Sequence, residues 1–151
     1  MRDNIPFPWI ADLQPLYPGL HGLDKKPKLP LDESFAVFSE EDIFRAENPE
    51  GVRIRISRTS NTPKGDTAFW QKALMHHLGP LYAEAEQLEF QEGDILGVHF
   101  TSKDSSPFHY IVSQKSGEEF ITVLEAFFPD DVTFAATKAS VYSAFEGVII
   151  P

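Results

Sequence analysis

Two histidines in the second half of the chain have the residue type and the spacing for acid–base or metal chemistry. His99 and His109 lie in neighbouring segments that alternate apolar and polar residues, with a turn-rich stretch between them. If these segments form a hairpin symmetric about Asp104, the two imidazoles fall opposite each other on one face. Such a pair can bind a metal ion or change charge near neutral pH. Because no third ligand is identifiable, we interpret the pair as structural and expect no metal.

A second pair, His76 and His77, lies in a segment with a helical spacing of apolar residues. Adjacent residues of a helix point about 100° apart, so the two imidazoles cannot easily reach one metal ion. We therefore predict that His77 is hydrogen-bonded on the inner face of the helix and that His76 is exposed.

Motifs of several common enzyme classes are missing from the sequence. It contains no G-x-S-x-G, no G-x-x-x-x-G-K-[ST], no G-x-G-x-x-G and no cysteine. The usual hydrolase elbow, the phosphate-binding loops and thiolate chemistry are therefore excluded. We predict that the protein is not an enzyme and uses no cofactor. A small enzyme with His99 or His109 as its base is an alternative.

A run of acidic residues is the most distinctive charge feature. No Lys or Arg occurs between Lys72 and Lys103, and five carboxylates lie in that interval: Glu84, Glu86, Glu89, Glu92 and Asp94. Further acids that can extend the run are Glu118, Glu119, Glu125, Asp130 and Asp131. Such a run is typical of a solvated face, but it also attracts a cationic protein surface and speeds association. We predict that the five carboxylates, with Glu118 and Glu119, bind a protein partner.

The charge distribution favours a basic protein partner and argues against nucleic acid. The net charge is −10, and residues 76–151 carry twelve Asp and Glu against three Lys. Residues 1–75 are nearly balanced, with ten basic and eleven acidic residues. An acidic field of this kind repels phosphate backbones. Arg53, Arg55 and Arg58 form a small basic patch, which we expect to pair with nearby acids rather than to bind an anion.

The first 33 residues differ in composition from the rest. Six of the twelve prolines lie among them, interleaved with aromatic residues that include Trp9 and Tyr17. Proline at this density prevents a continuous helix and favours extended backbone. We predict a proline-rich arm over 1–33, packed on a single domain over 34–151 or docked on a partner. Because aromatic anchors dominate interface energies, Trp9 and Tyr17 are candidate partner contacts.

Periodicity predicts the elements in the first half of the domain. Residues 34–44 contain short apolar pieces that fit either a strand or a turn of helix. Residues 52–58 alternate apolar and polar residues, as in a half-buried strand. Asp66 is predicted to be a helix N-cap, and apolar residues at spacings of three and four continue as far as Leu88. We expect a kink or break in this helix at Gly79 and Pro80.

The second half of the domain changes to a period of two. Three strands are predicted over residues 95–101, 108–114 and 120–128. Short polar turns separate them, which favours antiparallel hairpins in a three-strand meander. The last strand is apolar on both faces except for Thr122 and Glu125, so we expect it to lie centrally in the sheet and to be covered on both sides.

A second helix is predicted after the last strand. It begins at about Asp131, buries Phe134, Val141 and Phe145 on one stripe, and ends at Gly147. Locally paired strands between two helices are typical of the α+β class. We predict an antiparallel β-sheet flanked by two α-helices, with an extended proline-rich N-terminal arm.

The order of these elements resembles the fold shared by photosystem PsbP, the Ran-binding protein Mog and bacterial DcrB-like proteins. The segments that carry the resemblance are the helix around Trp70, the strands GDILGVHF, FHYIV and FITVLEAFF, and the helix with Phe134 and Phe145. The resemblance covers about residues 52–148. It implies an α-β-α sandwich that serves mostly as a non-catalytic protein-binding module. For soluble bacterial members it implies an adaptor-chaperone of type VI secretion effectors.

These observations favour a protein whose function is to bind another protein. We predict an immunity protein that neutralises a polymorphic or type VI bacterial toxin, with an adaptor-chaperone for a secretion effector as the alternative. No apolar run reaches the roughly 18 residues of a membrane span, and the N-terminus lacks the pattern of a secretory signal. With no cysteines, these features predict a cytoplasmic location and no membrane partner. The oligomeric state does not follow from the sequence.

Overall fold

Eight β-strands and two α-helices make up the described part of the protein. The structure is a computed structural model that describes residues 20–21, 28–40, 43–62, 64–92 and 94–149. Most of the predicted arm, including Trp9 and Tyr17, lies outside these residues. In chain order the elements are β1 (Leu20–His21), β2 (Ala36–Glu40), β3 (Ile43–Glu47), β4 (Arg53–Ser60), α1 (Thr67–Leu78), a 3₁₀ turn (Gly79–Leu81), β5 (Glu84–Glu89), β6 (Leu96–Thr101), β7 (His109–Ser116), β8 (Phe120–Phe128) and α2 (Asp131–Glu146).

The strands form one antiparallel sheet, which confirms the predicted α+β class. Its order is β2–β3–β4–β8–β7–β6–β5, and the short β1 pairs with the end of β4 beyond β3. The segment 34–44, which fitted either a strand or a turn of helix, contributes to β2 and β3, which pair as a hairpin. Within the described residues, β2 and β5 form the two edges of the sheet.

Strand β8 occupies the centre of the sheet, as its apolar sequence predicts. It lies between β4 and β7 and pairs eight residues with each of them. Residues 123–128 are all buried. A strand in this position has both faces covered, which explains the lack of polar alternation in its sequence.

Strand β4 places Ile54 and Ile56 on one buried face, as predicted. Arg55 and Ser57 on the opposite face are buried as well, with 5% and 0% of their surface exposed. The prediction of a half-buried strand is therefore wrong, because both faces of β4 are covered. Arg55, Ser57 and Thr59 are core residues and do not mark a solvated face.

The three arginines of β4 do not form one surface patch. Arg53 contacts Glu47 on the neighbouring strand at 3.6 Å, which fits the expected pairing with an acid. Arg55 is buried directly opposite Glu125 of β8. The guanidinium carbon of Arg58 lies 4.2 Å from the ring centroid of Phe120 in β8. Adjacent strand residues point to opposite faces, so Arg58 is turned away from the other two.

Helix α1 begins and breaks where the sequence predicts. Asp66 Oδ1 accepts a hydrogen bond of 2.8 Å from the Phe69 N–H in the first turn, as an N-cap residue does. Trp70, Leu74 and Leu78 form the buried stripe. The helix then ends in the 3₁₀ turn that contains Pro80.

The two histidines of α1 are both exposed. His76 and His77 touch each other edge to face, with 5.3 Å between ring centroids. The prediction that His77 lies on the inner face is wrong, because the buried stripe repeats every four residues through Leu74 and Leu78. His77 lies one position before Leu78, outside that stripe.

After the break, the prediction of a continuing helix is wrong. Residues Glu84–Glu89 form β5, antiparallel to β6, with Glu84 opposite Thr101 and Glu89 opposite Leu96. Glu, Ala, Gln and Leu are all good helix formers, so local propensity favours a helix here. Pairing with β6 overrides that propensity and extends the predicted three-strand meander to four strands.

Helix α2 agrees with its prediction at both ends. Its N-cap Asp130 accepts a hydrogen bond of 2.7 Å from a backbone N–H of the first turn, and Gly147 caps its C-terminus. Phe134, Val141 and Phe145 are buried against the sheet. Among the described residues, no helix has the length and apolar character needed to cross a membrane.

The two helices cover opposite faces of the sheet. Helix α1 packs Trp70 into a cluster that includes Val112, whereas α2 packs Phe134 and Phe145 into one that includes Ile111. Because adjacent residues of a strand point to opposite faces, the layers are helix, sheet and helix. Each large apolar side chain buried in these clusters contributes about 1.5–3 kcal/mol.

Asn61 joins the loop after β4 to two other parts of the fold. Its Oδ1 accepts hydrogen bonds from Trp70 Nε1 (2.9 Å) and from the Gly65 N–H (2.8 Å). Its Nδ2 donates to the carbonyl oxygens of Gly65 (3.0 Å) and Gly117 (2.8 Å). The buried amide thus connects the β4–α1 loop to α1 and to the β7–β8 turn.

Candidate partner surface and histidine cluster

Three acidic residues of β5 lie along one edge of the sheet. Glu84, Glu86 and Glu89 are exposed, whereas Ala85 and Leu88 are half-buried. Glu86 pairs with His99, which stacks on α2, so Glu84 and Glu86 share the α2 face of the sheet. Glu89 lies on the α1 face. We call these three residues, with Glu92 and Asp94, the acidic edge.

The backbone of β5 is also open on its outer side. The Phe90 N–H donates to the Ile95 carbonyl at 3.2 Å, which fixes the phase of the hydrogen-bonding pattern with β6. Hydrogen-bonded pairs alternate along an antiparallel ladder, so the N–H and C=O groups of Ala85, Gln87 and Glu89 point away from the sheet. Within the described residues, no strand pairs with them.

The turn after β5 continues the acidic edge. Glu92 and Asp94 are both exposed. The backbone N–H groups of Gln91 and Glu92 donate to Glu146 Oε2 at 2.6 and 3.3 Å. Glu146 is the last residue of α2, so the end of that helix adds a further carboxylate beside the turn.

Glu118 and Glu119 lie in the β7–β8 turn, at the same end of the sheet as Glu89. Lys64 Nζ lies 2.5 Å from Glu118 Oε2, and the hydrogen bond and charge of Lys64 lower the pKa of Glu118. Glu118 and Asp94 line one open groove of about 530 Å³, together with Lys64. The predicted acidic residues therefore share one edge and one end of the sheet, with Lys64 offsetting Glu118.

The other acids considered for this surface lie elsewhere. Glu125 is fully buried in the centre of the sheet, where the Tyr110 hydroxyl donates a hydrogen bond to it. Burial and the charge of Glu125 raise the pKa of Tyr82 to about 12. Asp130 and Asp131 are exposed at the first turn of α2, at the opposite end of β8 from Glu118. Extension of the acidic surface to Glu125 is therefore wrong.

His99 and His109 lie on one face of the sheet, as predicted, and contact each other. His99 Nε2 and His109 Nδ1 are 2.8 Å apart, which is a hydrogen-bond distance. The register pairs His99 with Ile111 and His109 with Thr101, so the histidines are diagonal neighbours. The predicted symmetry about Asp104 is wrong, because the register is shifted by two residues from it.

Helix α2 supplies further members of this cluster. Asp131 Oδ1 lies 2.6 Å from His109 Nε2. The Phe134 ring stacks on His109, with 4.2 Å between centroids, and on His99, with 4.6 Å. Lys138 Nζ lies 5.2 Å from the centre of the same phenyl ring. Sequence reasoning missed these contacts, because no periodicity relates α2 to β6 and β7. We call the five residues the histidine cluster.

The surroundings of His99 keep its imidazole neutral at physiological pH. Burial, with smaller effects of His109 and Lys138, lowers the pKa of His99 to about 4. His109 uses both ring nitrogens in the contacts with His99 and Asp131, so neither nitrogen is open to a substrate. Within the described residues, no three His, Cys, Asp or Glu side chains are arranged to hold a metal ion.

The lowered pKa predicts that His99 makes the fold less stable in acid. The unfolded chain binds this proton with a pKa of about 6.5, whereas the folded protein resists it down to about 4. The stabilisation is complete above about pH 6.5 and is lost as the pH falls towards 4. Because the ring is partly exposed, solvent screening limits the loss to about 2 kcal/mol.

Chemical denaturation at about pH 7 and about pH 4 measures this loss in the wild type and in His99→Phe. The phenyl ring preserves the stack on Phe134 but cannot titrate, so the variant should lose less stability on acidification. Other acid-sensitive groups are common to both proteins. An equal loss in the two proteins contradicts the prediction.

Comparison with known proteins identifies no family for this chain. No protein-family model matches the chain, and no curated protein matches its sequence.

Proposed function

We propose that this protein binds a cationic protein through the acidic edge and neutralises it, acting as a cytoplasmic immunity protein against a bacterial toxin. The observation that carries the proposal is the row of exposed carboxylates Glu84, Glu86 and Glu89 on the outer strand β5. Such a row steers an oppositely charged surface into contact and raises the association rate.

The open backbone of β5 supports a specific mode of binding. An extended segment of the partner can hydrogen-bond to the outward-facing groups of Ala85, Gln87 and Glu89, adding a strand to the sheet. Side chains of an added strand alternate between the two faces. Lys or Arg residues on that segment then meet Glu84 and Glu86 on the α2 face and Glu89 on the α1 face.

The geometry of the histidine cluster does not favour an enzymatic function. A general base needs a nitrogen lone pair that can reach a substrate. Both ring nitrogens of His109 are hydrogen-bonded, and His99 is half-buried beneath Phe134 and Lys138. We therefore place the function at the acidic edge and assign no catalytic residue, cofactor or metal.

The experiment that tests this function begins by identifying the partner. A tagged protein is recovered from its native cells at low and at high salt, and the co-eluting proteins are identified by mass spectrometry. We expect one stoichiometric cationic partner that is lost at high salt, because salt screens exposed charges. Association rates are then measured with the purified pair.

Two charge-matched double variants locate the contact. Glu84→Lys with Glu89→Lys reverses charge on the acidic edge, whereas Glu33→Lys with Glu50→Lys makes the same change on exposed residues outside it. We expect the first variant to slow association at low salt by about tenfold and the second by less than about twofold. Equal slowing by both indicates a net-charge effect, and no slowing by either rules out the acidic edge. Glu86 stays unchanged because it lies beside His99.

An adaptor-chaperone is the second candidate, favoured by a different part of the sheet. Val37 and Phe38 of the edge strand β2 are 56% and 47% exposed, which gives this edge two adjacent apolar side chains in contact with solvent. The resemblance to PsbP, Mog and DcrB-like proteins adds to this reading. A chaperone should retain its client at high salt and lose it in Phe38→Ser. Loss in Glu84→Lys with Glu89→Lys instead supports the immunity function.

A further inference from the structure

The histidine cluster contains a hydrogen-bonded chain with a defined direction. An ionised carboxylate only accepts hydrogen bonds, so Asp131 Oδ1 accepts a hydrogen bond from the N–H of His109 Nε2. In a neutral imidazole one nitrogen donates and the other accepts, so His109 Nδ1 accepts from His99 Nε2. At 2.8 Å, the contact between the two rings holds one proton. The remaining bare nitrogen of the chain is His99 Nδ1.

This chain can take up one proton without losing a hydrogen bond. The proton binds His99 Nδ1, and the shared proton moves from His99 Nε2 to His109 Nδ1. His99 is then neutral again, and His109 is a cation beside the carboxylate of Asp131. Both contacts persist, and the contact with Asp131 becomes charge-assisted.

A second proton breaks the chain. The one nitrogen left to accept it is His99 Nε2, which then faces the N–H of His109 Nδ1. Two donors cannot share a contact of 2.8 Å, so the rings must separate. Phe134 stacks on both rings, and separation therefore disturbs the docking of α2.

The charged and titratable groups around the chain determine where each proton is held. From α2, Asp130 and Asp131 lie at the His109 end, and Lys138 lies near His99. From β5, Glu86 is directly opposite His99. Burial and the charge of Glu86 raise the pKa of Tyr142 on α2 to about 12, so this residue stays uncharged. Asp131 therefore lies beside the His109 end of the chain, and Lys138 opposes a positive charge on His99.

We propose that Asp131, His109 and His99 form a one-proton latch that holds the start of α2 on strands β6 and β7, and that a second proton opens it. The latch adjoins the acidic edge at Glu86, which lies opposite His99, but its three residues are not part of that edge. It makes the first turns of α2 the part of the fold that responds first to acid, while the central strands β4 and β8 remain paired.

Imidazole ¹⁵N spectra of the protein, recorded from about pH 8 to about pH 3, test whether His99 and His109 share a proton. We expect a through-hydrogen-bond coupling between His99 Nε2 and His109 Nδ1 at neutral pH, and its disappearance below about pH 4. Two histidines that titrate independently, with no coupling at neutral pH, would overturn the proposal. His76, which is exposed on α1, provides an internal reference.

Amide hydrogen exchange tests the opening of the latch. After correction for intrinsic rates, we expect exchange in residues 132–138 to rise at least about tenfold relative to β8 between pH 6 and pH 4. In His99→Phe the rise should stay below about threefold. Asp131→Asn keeps an acceptor oxygen but removes the charge, so its opening should occur at higher pH. Identical exchange in the wild type and both variants shows that no latch exists.

Discussion

Replacing Asn61 with aspartate is expected to lower the free energy of unfolding by about 4 kcal/mol. The amide donates two hydrogen bonds to the carbonyl oxygens of Gly65 and Gly117. A carboxylate at that position cannot donate, so an oxygen would face each of these carbonyl oxygens. The side chain is 7% exposed, and a buried charge without donors on that side costs several kcal/mol.

Asn48→Asp is a matched control for this substitution. Asn48 is 8% exposed, and its Oδ1 accepts a hydrogen bond from the Val52 N–H at 2.9 Å. Aspartate retains that acceptor, so we expect a loss below about 1 kcal/mol. Urea denaturation of both variants provides the comparison. Similar losses for Asn61→Asp and Asn48→Asp would mean that the two donated hydrogen bonds do not stabilise the fold as inferred.

Truncating Phe134 to alanine is expected to cost about 3–4 kcal/mol, as large-to-small changes in a core do. The ring is 8% exposed and stacks on His99 and His109, while meeting Phe128 edge to face at 5.0 Å. Its removal also admits water to His99. Because burial is the main cause of the lowered pKa of His99, that pKa should rise towards about 6.5.

Phe69→Ala serves as the comparison for Phe134→Ala. Phe69 is 45% exposed and touches Trp70 edge to face at 5.1 Å, so its truncation should cost less than about 1 kcal/mol. Denaturation curves measure both costs, and NMR titration follows His99. This account of the cluster would be contradicted by a Phe134→Ala variant whose free energy of unfolding equals that of the wild type. It would also be contradicted if His99 in that variant still titrated near 4.

Elements with a strong period and consistent propensity could be predicted from the sequence. The bounds of β6, β7 and β8 agree with their predictions to within two residues, and α2 begins at Asp131 as expected. These segments combine β-branched or aromatic alternation, or a buried stripe with caps, so local and tertiary preferences agree. The central position of β8 followed from the predominance of apolar residues on both of its faces, with Thr122 and Glu125 as the exceptions.

Strand β5 shows where this reasoning stops. Its residues favour a helix locally, and the spacing of Ala85 and Leu88 extends the stripe of α1. The strand forms because β6 supplies backbone partners, a tertiary effect that no local pattern records. The acidic residues were identified correctly as exposed, but their arrangement along an open strand edge depends on this pairing.

The histidine cluster was predictable only in part. Alternation placed His99 and His109 on one face, but the loop between their strands closes through the Ser102 N–H and the Phe108 carbonyl at 3.1 Å. That closure centres the hairpin one residue beyond Asp104 and shifts the pairing by two. The contact with Asp131 depends on how α2 folds back over the sheet, which sequence spacing does not specify.

The strand order also has a consequence for how the chain folds. Strands β2, β3 and β4 pair with their neighbours in sequence, and so do β5, β6, β7 and β8. The two groups meet along β4 and β8, where Arg53 pairs with Phe127. Pairing β4 with β8 closes a loop that contains all of the chain between these two strands, and this closure costs entropy before any contact compensates for it. We therefore expect the two meanders to form early and independently, and their joining along β4 and β8 to limit the folding rate.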